Sequence, residues 1–213
     1  MHSLVNEIPL LSYRTLEHIT DHSLVQMFKV DDFLTAEQCQ TLIDEATLSM
    51  APSRIGDKNN TTKIDVSVRS SRTSYLSSES DHRVVQEVHG MLHAMYGHPE
   101  LNSDPMQVHR YGPNEHFAAH HDYHNPETQQ ARIEAEGQRT WTLIVYLNDD
   151  FDGGETYFPL LDIKVKPKRG MLVAWNNLTV TGEVNPYTEH ESLPVVIGEK
   201  NLLSKWFRNK LLA

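Results

Sequence analysis

The segment HFAAHHDYH, residues 116–124, holds the densest group of side chains that are able to bind a metal ion. In an extended strand, residues i and i+2 point to the same face, whereas direct neighbours point to opposite faces. His120 and Asp122 would therefore converge on one point, and His121 would face away from Asp122. The spacing favours His120 over His121 as a ligand and predicts a pair made of one histidine and one carboxylate.

A third ligand has to come from a distant part of the chain, since two side chains hold a metal ion weakly. His190 is the only histidine after His124. Two histidines and one carboxylate form the facial triad of non-haem Fe(II), which leaves coordination positions open for O2 and a co-substrate. Zinc accepts the same ligands, so the residues alone leave both metals open. Histidines 116, 121 and 124 are expected to be exposed or to support the ligands.

Two helices are expected early in the chain and short strands later. Thr35 is placed to cap a helix that runs to Leu48, because Gln38 completes a capping box. Residues 81–96 carry apolar side chains on one helical face. Beyond Pro105, turn signals separate strand-like runs at residues 106–111, 140–147, 156–159, 163–165, 171–175 and 193–197.

Helices followed by many short strands predict a mainly β fold with flanking helices. We expect a jelly-roll core (a double-stranded β-helix) with the N-terminal helices packed on one sheet. No linker divides the chain, so residues 1–213 are predicted to form a single domain, with 1–100 as a helical and extended support region and 101–213 as the core. Residues 51–65 are expected to form a polar surface loop, 66–76 an extended segment and 129–137 a short surface helix.

The composition excludes several classes of protein. A formal net charge of −10 does not suit a general nucleic-acid binder, which needs clustered lysine and arginine. Cys39 is the single cysteine, so we expect neither an intramolecular disulfide nor a four-cysteine metal site. A reducing compartment such as the cytoplasm suits this chain. We also expect no signal peptide and no membrane partner, since no apolar run approaches the roughly 18 residues of a membrane span.

Several motifs between Arg69 and Arg208, about two thirds of the chain, resemble the prolyl 4-hydroxylase branch of the 2-oxoglutarate-dependent oxygenases in order and spacing. The matching segments are Tyr111 nine residues before His120, an HxDY pattern at 120–123, an RxxTxLxYLN-like strand at 139–148, GGETxFP at 153–159, PxxGxxxx followed by an aromatic residue at 167–175, and HxxxPVxxGxKxxxxxW at 190–206.

This resemblance implies an Fe(II)- and 2-oxoglutarate-dependent dioxygenase. Its expected reaction is C4 hydroxylation of a prolyl residue in a peptide or protein, with release of succinate and CO2. It implies that iron is held by His120, Asp122 and His190, that O2 is a co-substrate and that ascorbate is the reductant.

The resemblance also carries over the residues that would bind the other reactants. Lys200, ten residues after His190, would pair with the distal carboxylate of 2-oxoglutarate, with Tyr111 and Thr142 as hydroxyl donors. The residues that match positions near the family's peptide-binding groove are Arg69, Ser71 and Arg139.

Three positions depart from the family pattern and bear on which substrate fits. Asn201 replaces a usual tryptophan, and Ser192 and Asn114 replace glycines. Trp175 and Trp206 are expected in the core rather than at the substrate. Two alternatives stay open at this point: the same mechanism acting on a free amino acid or another small molecule, and a non-catalytic metal-binding jelly roll. The oligomeric state is open as well.

Overall fold

The computed structural model of the chain describes residues 11–13, 15–56, 62–77, 80–98 and 101–211. The helices are α1 (Ala36–Thr47), α2 (Arg83–Tyr96) and α3 (Gln130–Glu136). In chain order the strands are β1 (Glu17–His18), β2 (Met27–Val30), β3 (Ala51–Pro52), β4 (Ile55–Gly56), β5 (Thr62–Lys63), β6 (Arg72–Leu76), β7 (Leu101–Ser103), β8 (Met106–Tyr111), β9 (Phe117–His120), β10 (Arg139–Tyr146), β11 (Asp152–Gly153), β12 (Thr156–Phe158), β13 (Ile163–Val165), β14 (Leu172–Asn176), β15 (His190–Ser192), β16 (Val195–Ile197) and β17 (Lys200–Leu211).

One large sheet and one small sheet form the core. The large sheet has the strand order β1-β2-β14-β10-β17-β8-β6-β3, with β7 paired to β17. The small sheet has the order β13-β12-β15-β9, and the pairs β11-β16 and β4-β5 stand apart from both. The strand pairings within these sheets are antiparallel. The predicted mainly β fold is confirmed.

One face of the large sheet packs against the helices, and the other face is turned toward the space between the two sheets. Strand β10 shows how the sequence produces these two faces. Leu143 and Val145 face the helices, in the same hydrophobic cluster as Leu42 and Leu92 of α1 and α2. Ile144 and Tyr146, which alternate with them along the strand, belong to a second cluster on the inner face. Because strand side chains alternate between faces, each buried strand serves the core and the interior at once.

Capping fixes the ends of the two long helices. The Thr35 side chain accepts a hydrogen bond from the backbone N–H of Gln38, and Gln38 bonds back to Thr35, which confirms the predicted capping box. Helix α2 ends at Gly97, which has a left-handed backbone that glycine adopts at low cost. Both helices pack on the large sheet as expected. None of the helices in the described residues is long and apolar enough to cross a bilayer.

Two segments differ from the expected elements. Residues 66–76 are extended only from Arg72 onward, because the backbone N–H groups of Val68 and Arg69 both bond to the carbonyl of Asp65 and close a turn. Three two-residue strands lie within the expected loop 51–65, of which residues 57–61 lie outside the described part. The predicted surface helix at 129–137 is confirmed as α3.

The longest strand, β17, was not predicted from the sequence. It has twelve residues, and three of its four charged side chains are buried: Lys200, Lys205 and Arg208. These charges break the apolar alternation by which a strand is recognised from its sequence. They are tolerated in the interior because partners that are distant in sequence satisfy them. It lies at the centre of the large sheet, between β10 and β8.

Replacing Gly170 by alanine should destabilise the fold. Gly170 has a φ of +79°, and a Cβ there would lie 2.3 Å from the carbonyl oxygen of Leu34. We expect a loss of about 1–3 kcal/mol in the free energy of unfolding, the usual cost of a strained backbone. Gly90→Ala is the matched control, because nothing lies within 4 Å of its Cβ and alanine should gain roughly 0.5–1 kcal/mol inside a helix. Urea denaturation measures both, and equal effects would contradict this interpretation.

Candidate metal centre and active site

Three side chains with metal-ligating atoms meet where β9 and β15 pair. In the antiparallel register of these strands, His190 lies opposite His120. Asp122 follows β9 by two residues. One ligand atom from each of the three residues lies within 4.8 Å of the other two. The structure therefore brings the three predicted ligands to one point.

Hydrogen bonds to the backbone orient both imidazoles. His120 Nδ1 lies 2.8 Å from the carbonyl oxygen of Ala118, and His190 Nδ1 lies 2.9 Å from that of Thr188. Each Nδ1 therefore donates to a carbonyl, which leaves Nε2 as the atom of each ring that can bind a metal ion. Each Nε2 lies 3.6 Å from a carboxylate oxygen of Asp122. Protein metal sites commonly fix their histidine ligands in this way.

Asp122 reaches this point by a different route from the one that strand alternation predicted. Strand β9 ends at His120, and Asp122 lies in a bend. The Thr142 hydroxyl donates to Asp122 Oδ2 at 2.8 Å, and the Arg139 guanidinium donates to the Asp122 carbonyl at 3.2 Å. His121 turns away, with its Nε2 lying 3.2 Å from the carbonyl oxygen of Pro186. Specific hydrogen bonds, rather than continued strand geometry, position this carboxylate.

Burial keeps the imidazole of His190 in the form that binds a metal ion. His190 is 6% exposed, and its burial lowers its pKa to about 4. Its imidazole is therefore neutral at pH 7, the form in which Nε2 binds a metal ion. The pKa of the buried His124 is also lowered, to about 3, by its burial and by nearby arginines. His124 is buried rather than exposed, lies 3.2 Å from the Arg208 guanidinium and does not join the three ligands.

A small cavity, called here the inner cavity, adjoins the three ligands between the sheets. It is lined by all three of them together with Tyr111 and Thr142. The Thr142 hydroxyl donates to Asp122 and accepts from the side-chain amide of Asn177 at 2.9 Å. Thr142 therefore supports a metal ligand instead of offering its proton to the cavity, which differs from the role that the resemblance implied. Asn177 carries no motif that reveals this contact from sequence.

Lys200 lies just behind this cavity and is fully buried. Its ammonium donates to the carbonyl of Gly154 at 2.6 Å and to the hydroxyl of Ser192 at 2.8 Å, and lies 5.1 Å from the centre of the Tyr111 ring. Burial lowers its pKa to about 7, against a smaller opposing effect of Glu155. Ser192 lines the cavity and thus links the lysine to it.

A larger open groove leads from the surface to the same ligands. Its volume is about 470 Å³. The arginines that line it are Arg54, Arg69, Arg132 and Arg139. His120 and Asp122 line both the groove and the inner cavity, so the groove ends at the metal ligands. A chain molecule lying in the groove would reach them.

Arg139 is held rigidly in this groove. Its guanidinium bonds to Asp104 at 3.0 Å and lies 4.3 Å above the Trp206 ring. Asp104 also binds Arg208 at 2.9 Å. Burial alone raises the pKa of Asp104, but the two arginines lower it by more and hold it well below its usual range. These ion pairs join residues 104, 139 and 208. Asp104 was not predicted from the sequence, because the three residues lie far apart in the chain and form no motif.

The other two predicted substrate residues form a pair of their own. Arg69 lines both cavities, and its Nε donates to the Ser71 hydroxyl at 3.1 Å. Ser71 is buried and also bonds to the hydroxyl of Ser53 at 2.8 Å. Ser71 lines neither cavity, so the structure places it behind Arg69 rather than at the groove surface.

Two tryptophans that were expected in the core also line the site. Trp175 lines the inner cavity, and Trp206 lines both the cavity and the groove. The indole N–H of each is buried and has no hydrogen-bond partner among the described residues. A buried donor without a partner costs free energy. A molecule bound in the site could accept hydrogen bonds from these two N–H groups and remove that cost.

Comparison with known proteins identifies the family. Residues 106–208 match the 2OG-Fe(II) oxygenase superfamily. A putative prolyl 4-hydroxylase from Acanthamoeba polyphaga mimivirus is 30% identical over 86% of this chain and 74% of its own length. Prolyl 4-hydroxylase 1 from Arabidopsis thaliana is 31% identical over 84% of this chain and 67% of its own length. A viral collagen prolyl hydroxylase from Paramecium bursaria Chlorella virus-1, solved with 2-oxoglutarate, has a TM-score of 0.65 at 27% identity and covers 89% of this chain and 98% of its own.

The chain belongs to the 2OG-Fe(II) oxygenase superfamily, in its prolyl 4-hydroxylase-like branch. It is a 2-oxoglutarate-dependent dioxygenase, and Fe(II) and 2-oxoglutarate are its cofactor and co-substrate. The donor set of this oxygenase fits both molecules. Two imidazoles and a carboxylate suit Fe(II). Tyr111, the free indole N–H of Trp175 and the buried Lys200 suit a dianion.

Removing any of the three ligands should abolish metal binding. We expect His120→Ala, Asp122→Ala and His190→Ala to lose measurable Mn(II) affinity in titration calorimetry, because two ligands bind a divalent ion weakly. His121→Ala is the matched control and should bind Mn(II) as the unmodified oxygenase does, since its ring faces Pro186. Retained affinity in His120→Ala together with lost affinity in His121→Ala would show that the ligand assignment is wrong.

Proposed function

We propose that this oxygenase hydroxylates a prolyl residue at C4 within a peptide or protein, with release of succinate and CO2. The observation that carries the proposal is the open groove of about 470 Å³ that leads from the surface to the metal ligands. Four arginines line this groove and can donate to successive backbone carbonyls of a peptide chain, whereas a free amino acid would reach few of them. Relatives named as prolyl 4-hydroxylases support the choice of proline.

In this proposal each group has a distinct task. His120, Asp122 and His190 hold Fe(II), which supplies the oxidation chemistry when it is bound. The distal carboxylate of 2-oxoglutarate is bound by Lys200, assisted by the Tyr111 hydroxyl. Because Lys200 is buried behind the inner cavity, its interaction with the carboxylate is shielded from water and is strong.

The groove arginine Arg139 is suited to bind the peptide backbone. Its Nε is committed to Asp104 and its face to Trp206, so its orientation is fixed before a substrate arrives. A guanidinium donates several hydrogen bonds in a fixed fork. Proline-rich segments adopt an extended polyproline II helix, whose backbone carbonyls are exposed to such donors. A free amino acid offers fewer of these contacts, which favours a peptide substrate.

We further propose that ascorbate serves as the reductant and that the protein works in the cytoplasm. Both proposals follow from the iron chemistry, since Fe(II) must be kept reduced between turnovers. The single thiol, Cys39, is buried, and this burial raises its pKa to about 11, so it stays protonated and unreactive. The chain itself thus offers no exposed thiol as an alternative reductant.

Arg139→Ala should separate peptide hydroxylation from 2-oxoglutarate consumption. We expect roughly a 30-fold or larger fall in peptide turnover, since losing a charged contact costs about 2–5 kcal/mol. Succinate formation without peptide should fall by much less, because Arg139 loses one bond to Asp122 but the Thr142 hydroxyl still bonds to the Asp122 carboxylate. Arg83→Ala is the control, because that arginine is exposed on α2. The assay follows a gain of one oxygen atom in proline-containing peptides by mass spectrometry. Efficient turnover of free proline, with no response to any peptide, would contradict the proposal.

Binding of 2-oxoglutarate should take up a proton at pH 8 but not at pH 6. Lys200 has a pKa of about 7 and is therefore mostly neutral at pH 8 before binding. A bound carboxylate favours the charged ammonium, so about one proton is taken up at pH 8 and almost none at pH 6. Calorimetry of the Mn(II)-loaded protein in buffers of different ionisation enthalpy measures this number. Equal proton uptake at both pH values would remove Lys200 from the binding site.

A further inference from the structure

Arg69 lies where the inner cavity and the groove meet, and it lines both. It is 8% exposed. Its Nε donates to the Ser71 hydroxyl at 3.1 Å, its Nη2 lies 2.7 Å from His109 Nδ1, and its guanidinium carbon lies 4.5 Å from the centre of the Phe117 ring. None of these partners carries a negative charge, and in the described part of the chain no carboxylate forms an ion pair with Arg69.

Two other arginines that line the groove differ from Arg69, because each of them pairs with a carboxylate. Arg139 pairs with Asp104 at 3.0 Å, and Arg132 pairs with Glu136 at 3.0 Å. Burying a charge without a partner is unfavourable, which is why buried charges are normally paired. Arg69 is thus a buried cation that faces two cavities and still has N–H groups without a partner in the described residues.

His109 holds this guanidinium in place. The imidazole is 2% exposed. Its Nδ1 lies 2.7 Å from Arg69 Nη2 and 2.9 Å from the Thr73 hydroxyl, and its Nε2 lies 2.7 Å from the Ser204 hydroxyl. The Arg69 N–H can only donate, so Nδ1 accepts and Nε2 carries the proton. His109 therefore orients Arg69 without adding a negative charge.

The charges of the proposed function leave Arg69 uncompensated. Fe(II) with the Asp122 carboxylate carries one net positive charge, and a protonated Lys200 adds a second. Bound 2-oxoglutarate, a dianion, cancels both. Glu191 also lines the inner cavity, but no carboxylate of the described residues pairs with Arg69, which lies at the position where a substrate enters the site.

We propose that the substrate carries a carboxylate close to the hydroxylated position and that Arg69, oriented by His109, binds this carboxylate. The Phe117 ring that lies under the guanidinium stacks on the metal ligand His120, with ring centres 3.6 Å apart. The carboxylate would thus lie within about one or two residues of the reacting carbon, given roughly 3.3–3.6 Å per extended residue. This inference rests on the proposed function.

Two kinds of carboxylate meet this description, and peptide pairs distinguish them. The first is a glutamate directly before or directly after the target proline. Each of these two peptides is compared with the peptide that carries glutamine at the same position. The second is the free terminal carboxylate of a C-terminal proline, compared with its amide. The Fe(II)-loaded enzyme is supplied with 2-oxoglutarate, and kcat/KM is followed by mass spectrometry. We expect the charged member of at least one pair to be favoured by about 10- to 100-fold.

Variants link that preference to the two residues. Arg69→Gln should reduce the ratio of charged to neutral peptide to about one, while Arg69→Lys, which keeps the charge, should retain part of it. His109→Leu should lower the ratio mainly through a higher KM for the charged peptide. His109→Asn, whose amide oxygen can take the place of Nδ1, should recover part of it. Arg72→Gln, an exposed arginine whose guanidinium bonds to the Met50 carbonyl, should keep the full preference.

The contradicting outcomes are distinct from each other. Equal kcat/KM within every charged and neutral pair, with the peptides still hydroxylated, would overturn this inference and leave the proposed function intact. A preference that survives Arg69→Gln would overturn it as well. If no peptide gains oxygen although the metal-loaded protein binds 2-oxoglutarate, the proposed function fails and this inference fails with it.

Discussion

The register of the β9–β15 pair is the constraint on which the site depends. It sets His190 opposite His120, so residues 70 positions apart in sequence present their Nε2 atoms to the same carboxylate. Both histidines use the same local device, a hydrogen bond from Nδ1 to the carbonyl two residues earlier. A slip of one residue in this pairing would turn one imidazole to the opposite face of the sheet. The fold has to secure this register before any metal chemistry is available.

The large sheet positions the other groups of the site, because its central strands have two buried faces. Strand β10 packs Leu143 and Val145 against the helices and, on its inner face, presents Thr142 to Asp122. Strand β17 also has two buried faces, with Leu203 in the core that faces the helices and Lys200 just behind the inner cavity. Helix packing and site geometry are therefore coupled through single strands, and a core mutation on one face would displace a functional group on the other.

The sequence contains much of the metal site but little of its support. The spacing of His120 and Asp122, with one histidine downstream, was enough to propose the ligands. Lys200 was proposed only through its position relative to His190 in a family pattern. Asp104 and His109 were missed, because their partners lie on other strands and no short motif joins them. The turn at Asp65, which ends the expected extended segment, depends on backbone hydrogen bonds that residue types alone do not specify.

The most direct test of this account is a crystal structure of the protein with Mn(II) and 2-oxoglutarate, grown without O2. The account predicts metal density at roughly 2.0–2.2 Å from His120 Nε2, an Asp122 oxygen and His190 Nε2, typical of nitrogen and oxygen ligands. It also predicts the distal carboxylate of 2-oxoglutarate at the Lys200 ammonium, with the Arg69 guanidinium left free for substrate. Metal density away from these three residues, or the distal carboxylate bound to Arg69, would contradict it.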